Sequence, residues 1–199
     1  METLSLLGSV AGLGFLAGIR LYFTVFALGL CMRLGWFEPT ASLQHLSVLS
    51  QTPVLIVSGL LLICEFIADK IPWFDTMWDA VHTFIRPIGA AALGIAAVGS
   101  VDPLMSLMIG LVSGGVAFTG HASKAATRVA VNHSPEPFSN WILSFGEDLL
   151  VPFGLWVVME HPVYAIFAVS AFLIVFVLMA RAVWSLFVSL FQRTRRAAV

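Results

Sequence analysis

Five ionisable residues lie inside apolar stretches of the sequence, where a charge is costly. Placing such a group in the hydrocarbon of a membrane costs at least about 2.5–3.5 kcal/mol, so it normally faces a partner or a wet cavity. Carboxylates held there can take up protons or a metal cation, and an arginine beside them can balance their charge. We therefore predict a polar site inside a membrane. The residues are Arg20, Glu65, His121, Glu147 and Asp148.

Glycines precede the basic members of this set. Gly18 lies two residues before Arg20, and Gly120 lies directly before His121 and four residues before Lys124. If the helices break at these glycines, each following half-helix presents free N–H groups and a positive dipole end beside a cation, which favours an anion or a carboxylate. The acidic side chains are therefore predicted to meet the basic ones near the membrane midplane. The predicted substrate- or ion-binding residues are Arg20, Glu65, Asp69, His121, Lys124, Glu147 and Asp148, and the identity of any metal stays open.

A second interpretation gives the same charges a purely structural role. Arg20 and Glu65 could form an internal ion pair that locks the helices together and transports nothing. We favour transport, because several acids around one central arginine exceed what structural pairing needs. The two interpretations differ in whether loss of Glu65 abolishes flux or only lowers stability.

A third interpretation is a membrane-embedded, metal-dependent enzyme that acts on lipid phosphates. Carboxylates four residues apart, such as Asp75 and Asp79, share a helix face and could hold Mg²⁺ over a phosphate. The sequence contains neither a DDxxD pair nor the D-x2-D-G-x2-A-R pattern of phospholipid synthases. The spacing of Asp75, Asp79 and His82 is therefore more typical of a solvated helix face, and we favour a protein that is not an enzyme.

The composition indicates a membrane protein. Of 199 residues, 59% are hydrophobic and 11% are charged, whereas soluble domains carry about 25% charged residues. One membrane crossing takes roughly 20 apolar residues, and the net charge of −1 gives no basic field for nucleic acid. The sequence therefore predicts an all-α, polytopic helical bundle with no nucleic-acid partner and no cofactor. Six stretches fit transmembrane helices: residues 4–34, 53–71, 84–101, 103–122, 138–159 and 162–179.

The positions of lysine and arginine predict the orientation, because cationic flanks stay in the cytoplasm. With six crossings and the N-terminus inside, the outer loops keep only Arg33 as a basic residue. We therefore predict a multi-pass protein of the bacterial cytoplasmic membrane with both termini in the cytoplasm. The basic residues placed inside are Lys70, Arg86, Lys124, Arg128, Arg193, Arg195 and Arg196.

Residues 73–86 carry a polar face at helical spacing, formed by Asp75, Asp79, His82 and Arg86, with apolar residues mostly opposite. This pattern predicts an interfacial amphipathic helix on the inner leaflet, with its polar face in water. Arg86 and Arg128 are predicted to contact lipid headgroup phosphates at the same surface.

The spacing G-x3-G-x5-G occurs twice, at 8–18 and, 102 residues later, at 110–120. Three crossings in each half would make the second half enter the membrane from the opposite side, so the pattern predicts two inverted three-helix repeats. Close packing of helices at small residues is the alternative explanation. The predicted division of the single membrane domain 1–199 is a first repeat at 1–101, a second, inverted repeat at 103–192 and a basic cytoplasmic tail at 193–199.

Three strings carry a family resemblance: E-F-I-A-D-K-I-P at 65–72, D-x3-D-x3-T-x2-R-P-x-G-A at 75–90 and G-H-A-x-K-A-A-T-R at 120–128. Over roughly residues 8–166 the chain resembles a bacterial membrane family known as domain of unknown function 4126. The resemblance implies a small integral membrane protein, and it implies no catalytic or transport residues.

Together these features predict a small secondary transporter, channel or lipid translocator whose intramembrane site is coupled to protons or cations. Its expected partners are membrane lipids and a small ion, small-molecule or lipid substrate. Faces rich in glycine and alanine, such as residues 89–99, also fit a homodimer.

Overall fold

In the computed structural model, which describes residues 2–132 and 138–197, the chain folds into helices joined by short turns. The predicted all-α class is confirmed. The elements are α1 (Glu2–Ile19), α2 (Leu21–Arg33), a 3-10 helix (Ala41–Ser50), α3 (Thr52–Ala68), α4 (Pro72–Val98), α5 (Pro103–Asn132), α6 (Phe138–Glu160) and α7 (Pro162–Ala197).

Prolines and one aspartate set where several helices begin. Helices α4, α5 and α7 start at Pro72, Pro103 and Pro162. A proline in the first turn lacks only an N–H group that would have no helical partner, and its fixed φ suits the helix. Asp102 caps α5, because its Oδ1 accepts hydrogen bonds from the N–H groups two and three residues later at 3.0 and 3.1 Å.

Four helices among the described residues are long and apolar enough to cross a membrane: Trp73–Val98, Pro103–Val131, Phe138–Glu160 and Pro162–Ser189. A fifth crossing results if the 3-10 helix and α3, which meet at a bend of 74°, count as one broken span. Helices α1 and α2 are apolar but shorter. The multi-pass character is therefore confirmed, whereas the predicted six crossings are not.

Helix α1 lies at the centre of the bundle. Every residue from Gly8 to Arg20 is buried except Phe15, which is half-buried. Glycines allow neighbouring backbones to come close here, because a Cβ atom at Gly18 would overlap the carbonyl group of Ala117 on α5. The first glycine pattern thus serves close packing.

The chain bends between α1 and α2 at Arg20, whose φ of −145° and ψ of 85° are not helical. A break near Gly18 was predicted and is confirmed two residues later. The corresponding break at Gly120 was predicted and is wrong, because α5 continues through it. Gly120 instead packs against Phe15 and Ile19 of α1.

Helices α1 and α7 run in the same direction. Gly8 lies against Pro162 at the start of α7, and the Phe15 ring lies 4.8 Å from the Phe172 ring further along it. The N-terminal end of α1 is therefore at the end of the bundle where α7 begins, opposite to the end where α7 finishes. This arrangement does not support the prediction that both termini lie on one side of the membrane.

Helices α1 and α5 also run in parallel, since Gly14 lies against Ser113 and Gly18 against Ala117. An inverted repeat would make these two equivalent helices antiparallel across the membrane. The predicted inversion is therefore not present between them, because the same glycine spacing also suits parallel packing.

Helix α2 runs back along the bundle from the bend. Leu21 lies against Gly89 in the middle of α4, whereas Gly29 lies against Leu49 of the 3-10 helix. The 3-10 helix in turn places His45 against the glycine that ends α4. Helices α1 and α2 thus form a bent hairpin with Arg20 at its apex.

The structure of α4 contradicts the prediction of an interfacial helix at residues 73–86. It is continuous from 72 to 98, and its polar face is buried: Asp75, Asp79, His82 and Arg86 are at most 4% exposed. The opposite, apolar face is exposed, as at Phe84. In hydrocarbon the apolar face turns outward and the polar residues find partners inside, so the predicted water-facing arrangement is wrong.

Candidate functional site

Ionisable side chains from the α1–α2 bend, α3, α4, α5 and α6 meet in one layer of the bundle. Helix α3 contributes from its C-terminal end and α6 from its first half. Helix α4 contributes from its first half and its middle, and α5 from its second half. Their side chains are at most 10% exposed, except for one at 18%. They are Arg20, Glu65, Asp69, Asp79, Arg86, Lys124, Arg128, Glu147 and, as the partly exposed one, Asp148.

Three cations and three carboxylates form what we call the balanced cluster, with Arg20 at its centre. Arg20 Nη2 lies 2.8 Å from Asp69 Oδ2 and 3.0 Å from Asp148 Oδ1. The same nitrogen donates to the backbone oxygen and the Oγ of Ser144 on α6, both at 3.1 Å. Arg20 thereby joins the hairpin apex to α3 and α6. The members are Arg20, Lys124, Arg128, Asp69, Glu147 and Asp148.

The other two cations of the balanced cluster come from α5. Lys124 Nζ lies 3.2 Å from both Asp69 Oδ2 and Glu147 Oε2. Arg128 Nη2 lies 2.7 Å from Glu147 Oε2, and its Nη1 donates to Asn140 Oδ1 at 2.6 Å. The formal charge of the cluster is zero, which is the condition under which buried charges are tolerated.

Asp69 lies in the turn between α3 and α4, outside the spanning helices. Burial alone would raise the pKa of Asp69, but the positive charges of Lys124, Arg20 and Arg128 outweigh burial and lower it to about 2. Its backbone carbonyl also accepts hydrogen bonds from Arg128 Nη1 at 3.2 Å and Asn140 Nδ2 at 3.1 Å. Asp69 therefore stays ionised and holds this turn in place.

A second group, which we call the Arg86 cluster, consists of Arg86, Glu65, Asp79 and His121. Arg86 Nη2 lies 2.9 Å from Glu65 Oε1, and Arg86 Nη1 lies 3.3 Å from Asp79 Oδ1. The Glu65 and Arg86 side chains are fully buried. Glu65 Oε2 and Asp79 Oδ2 meet no hydrogen-bond donor within residues 2–132 and 138–197.

The geometry at His121 fixes its charge. Arg86 Nη1 lies 2.7 Å from His121 Nδ1, and an arginine can only donate, so Nδ1 accepts and the imidazole is neutral. The proton on Nε2 points to the backbone oxygen of Asp79 at 3.0 Å. The Arg86 cluster thus has one positive and two negative groups, a formal charge of −1.

A second imidazole, that of His82, lies beside this cluster. Its Nδ1 donates to the backbone oxygen of Trp78 at 2.7 Å, and its Nε2 forms a hydrogen bond with the Tyr22 hydroxyl at 3.0 Å. The ring also stacks on Trp78 at 4.3 Å. Because Tyr22 lies in the first turn of α2, this contact joins the hairpin to α4.

The predicted site residues all lie in the polar layer, but their partners differ from the prediction. The suggested Arg20–Glu65 ion pair is wrong, because Glu65 pairs with Arg86. The count of several acids around one arginine is also wrong, since Arg86, Lys124 and Arg128 share the layer. Arg86 and Arg128, predicted at the headgroups, are 0% and 1% exposed and face carboxylates of neighbouring helices.

Sequence reasoning missed three residues of the site. The first is Asp79, which the sequence pattern places on a solvent-exposed face of a helix. Asn140 and Ser144 bind Arg128 and Arg20, and with Glu147 they recur at intervals of four and three residues on one face of α6. That polar stripe in an otherwise apolar helix could have identified them.

No curated protein matches this chain, and no solved structure matches it. A family model described as a domain of unknown function matches residues 7–182. This range extends the resemblance predicted from the three motif strings, and it includes every residue of both clusters. The chain therefore belongs to the family described as domain of unknown function DUF4126.

Proposed function

We propose that the protein is a proton-coupled secondary transporter in which the Arg86 cluster holds the coupling proton. The observation that supports this is a surplus carboxylate, since Glu65 and Asp79 share one guanidinium. Within the described part of the chain, adding the buried Asp75 and the half-buried Lys70 contributes one charge of each sign and leaves the surplus unchanged. An unbalanced buried charge is costly in hydrocarbon, and one proton bound to either Glu65 or Asp79 removes it.

A proton fits this cluster better than a metal cation does. Arg86 lies within 2.9 and 3.3 Å of the two carboxylates, so its positive charge would repel a metal held between them. Magnesium and calcium also need about six or more oxygen ligands. A proton needs one carboxylate oxygen, and Glu65 Oε2 and Asp79 Oδ2 are each without a donor in the described part of the chain.

The hairpin offers a way to link proton binding to movement. Arg86 Nη1 lies 3.4 Å from the carbonyl oxygen of Gly18 at the end of α1, and Tyr22 at the start of α2 binds His82. Both arms of the bend therefore contact the surroundings of the Arg86 cluster. Transporters place their sites at such interrupted helices, so a change in the charge of this cluster would act directly on the bend.

For the membrane arrangement we infer five crossings: the bent pair of the 3-10 helix and α3, followed by α4, α5, α6 and α7. The α1–α2 hairpin then enters and leaves from the outer side. Arg193, Arg195 and Arg196 follow at the end of α7, so cationic flanking places that end in the cytoplasm. The N-terminal end is accordingly outside, and the polar layer lies in the cytoplasmic half.

A purely structural role accounts for the balanced cluster but not for the Arg86 cluster. A structural ion-pair network is most stable when each carboxylate has a cation. Replacing either Glu65 or Asp79 by its amide would leave one carboxylate for the one guanidinium of Arg86. The presence of two acids, Glu65 and Asp79, beside one guanidinium is the feature that favours proton binding.

The test is a pH jump on proteoliposomes adsorbed to a solid-supported membrane, which records the charge displaced when protons bind. The wild type is expected to give a transient current that Glu65→Gln abolishes. Glu160→Gln, the same change at an exposed position on α6, should keep the wild-type current. A wild-type current no larger than that of protein-free liposomes, or equal currents for wild type and Glu65→Gln, would contradict the proposal.

A further inference from the structure

A cavity of about 730 Å³ opens on the side of the bundle between α2, α3 and α6. Its size lies within the range of about 300–1,000 Å³ that is usual for ligand pockets. All lining side chains but one are apolar, and Ile63 and Leu149 are more than half exposed on the lipid-facing surface. The lining of this cavity is therefore suited to a hydrocarbon chain. The lining residues are Phe23, Leu62, Ile63, Phe66, Phe145, Asp148 and Leu149.

The polar lining residue is Asp148, whose two oxygens differ in their partners. Its Oδ1 lies 3.0 Å from Arg20 Nη2. Its Oδ2 is buried and has no hydrogen-bond donor among the residues described, and the side chain as a whole is 18% exposed. A buried carboxylate oxygen without a donor is costly beside an apolar cavity. A ligand that carries a cationic group would compensate that cost.

Lys70 places an ammonium group at the edge of the same cavity. Its Nζ lies 3.4 Å from the centroid of the Phe66 ring and 4.9 Å from that of Phe145, and both rings line the cavity. The ammonium carries three N–H donors, and one donates to Ser144 Oγ at 3.1 Å. The cavity edge thus presents a carboxylate and an ammonium together.

We infer that this cavity binds a membrane phospholipid with a zwitterionic ethanolamine headgroup. The ammonium of the headgroup pairs with Asp148, its phosphate pairs with Lys70, and one acyl chain lies between α2, α3 and α6. An anionic headgroup would be repelled by Asp148, and a purely cationic one would be repelled by Lys70. A choline headgroup has no N–H group to donate to Asp148 Oδ2, which lacks a donor among the described residues. The inference does not depend on the proposed proton coupling, because neither residue belongs to the Arg86 cluster.

The experiment counts bound lipids by native mass spectrometry. Purified full-length protein in detergent is mixed with equal amounts of phosphatidylethanolamine, phosphatidylglycerol and phosphatidylcholine that carry identical acyl chains. The ethanolamine lipid is expected to dominate the bound fraction. Asp148→Asn should lower its affinity about tenfold, the effect of losing a charge-assisted hydrogen bond, and Lys70→Gln should lower it as well. Glu160→Gln is the matched control and should bind as the wild type does.

Because Asp148 also pairs with Arg20, a second variant tests the cavity without changing any charge. Leu149→Trp fills the lipid-facing side of the cavity, and it is expected to lower binding of the ethanolamine lipid while the protein stays folded. Equal binding of the three lipids by the wild type would overturn the inference. Wild-type binding of the ethanolamine lipid by both Asp148→Asn and Leu149→Trp would overturn it too.

Discussion

The balanced cluster and the Arg86 cluster use the same residue types in the same layer of the bundle, yet their charges differ. In the balanced cluster three cations face three carboxylates, and Asp69 and Glu147 each contact more than one cation. In the Arg86 cluster one guanidinium faces Glu65 and Asp79, and the nearby imidazole of His121 is neutral. The first arrangement is balanced in charge as it stands, whereas the second is balanced by one proton.

Because of this difference in charge, we expect the balanced cluster to determine stability and the Arg86 cluster to determine proton binding. Removing a charge from a balanced buried group leaves another charge unpaired, which is strongly destabilising. Removing a surplus charge leaves every remaining group paired. Variants in the two clusters should therefore have opposite effects: loss of stability in the balanced cluster, and loss of proton binding with little loss of stability in the Arg86 cluster.

The largest effect is expected for Arg20→Gln, which removes the cation that Asp69, Glu147 and Asp148 share. The free energy of unfolding should fall by about 3–5 kcal/mol, the usual cost of breaking a buried ion pair. Denaturant titration of the purified protein in detergent measures it. Arg33→Gln, which removes an exposed hydrogen bond to Thr52, should change stability by no more than about 0.5 kcal/mol.

The double variant Arg20→Gln with Asp148→Asn sharpens this prediction. It restores equal numbers of cations and carboxylates in the balanced cluster, so it should recover part of the lost stability. If the double variant is less stable than Arg20→Gln alone, charge balance is not what holds this cluster together.

An intermediate effect is expected for Gly18→Ala, which acts on both clusters through the backbone. The added Cβ would overlap the carbonyl group of Ala117, so α1 must move away from α5. That movement shifts Arg20 in one cluster and the carbonyl contact of Arg86 in the other. The expected loss is about 1–3 kcal/mol of unfolding free energy. Gly115→Ala, where a Cβ meets nothing within 4 Å, is the control. An equal loss of stability in this control would show that the close contact between Gly18 and Ala117 is not the cause.

The smallest effect on stability is expected for Glu65→Gln. The amide oxygen can still accept from Arg86, and Asp79 then balances the guanidinium. The free energy of unfolding should therefore change by no more than about 1 kcal/mol, the net contribution of a single hydrogen bond. A loss as large as that of Arg20→Gln would show that Glu65 is a structural partner, and the distinction between the clusters would fail.

Several features of the fold and site follow from sequence, because they depend on composition and local chemistry. Apolar stretches of adequate length predicted a multi-pass helical protein. Ionisable residues such as Glu65 and His121, which lie within those stretches, predicted a buried polar layer. The glycines before Arg20 predicted a break in the first helix, and the break lies at Arg20 itself.

Other features were not predictable, because they depend on which neighbours a helix finds. Periodicity placed Asp75, Asp79, His82 and Arg86 on one face of α4, but the same periodicity fits a face in water and a face in a polar core. The glycine spacing around Gly18 predicted an inverted repeat, with close packing as the alternative, and this spacing is the same for parallel and antiparallel helices. The pairing of Glu65 with Arg86 followed only once α3 and α4 were placed.

The central claim is that the Arg86 cluster binds a proton that the balanced cluster does not, and infrared difference spectroscopy over a pH titration tests it directly. The C=O stretch of a protonated carboxylic acid should be present in the wild type around neutral pH. It should be lost in Glu65→Gln and in Asp79→Asn, and it should remain in Asp148→Asn. Absence of the band from the wild type, or its survival in both Glu65→Gln and Asp79→Asn, would contradict the account.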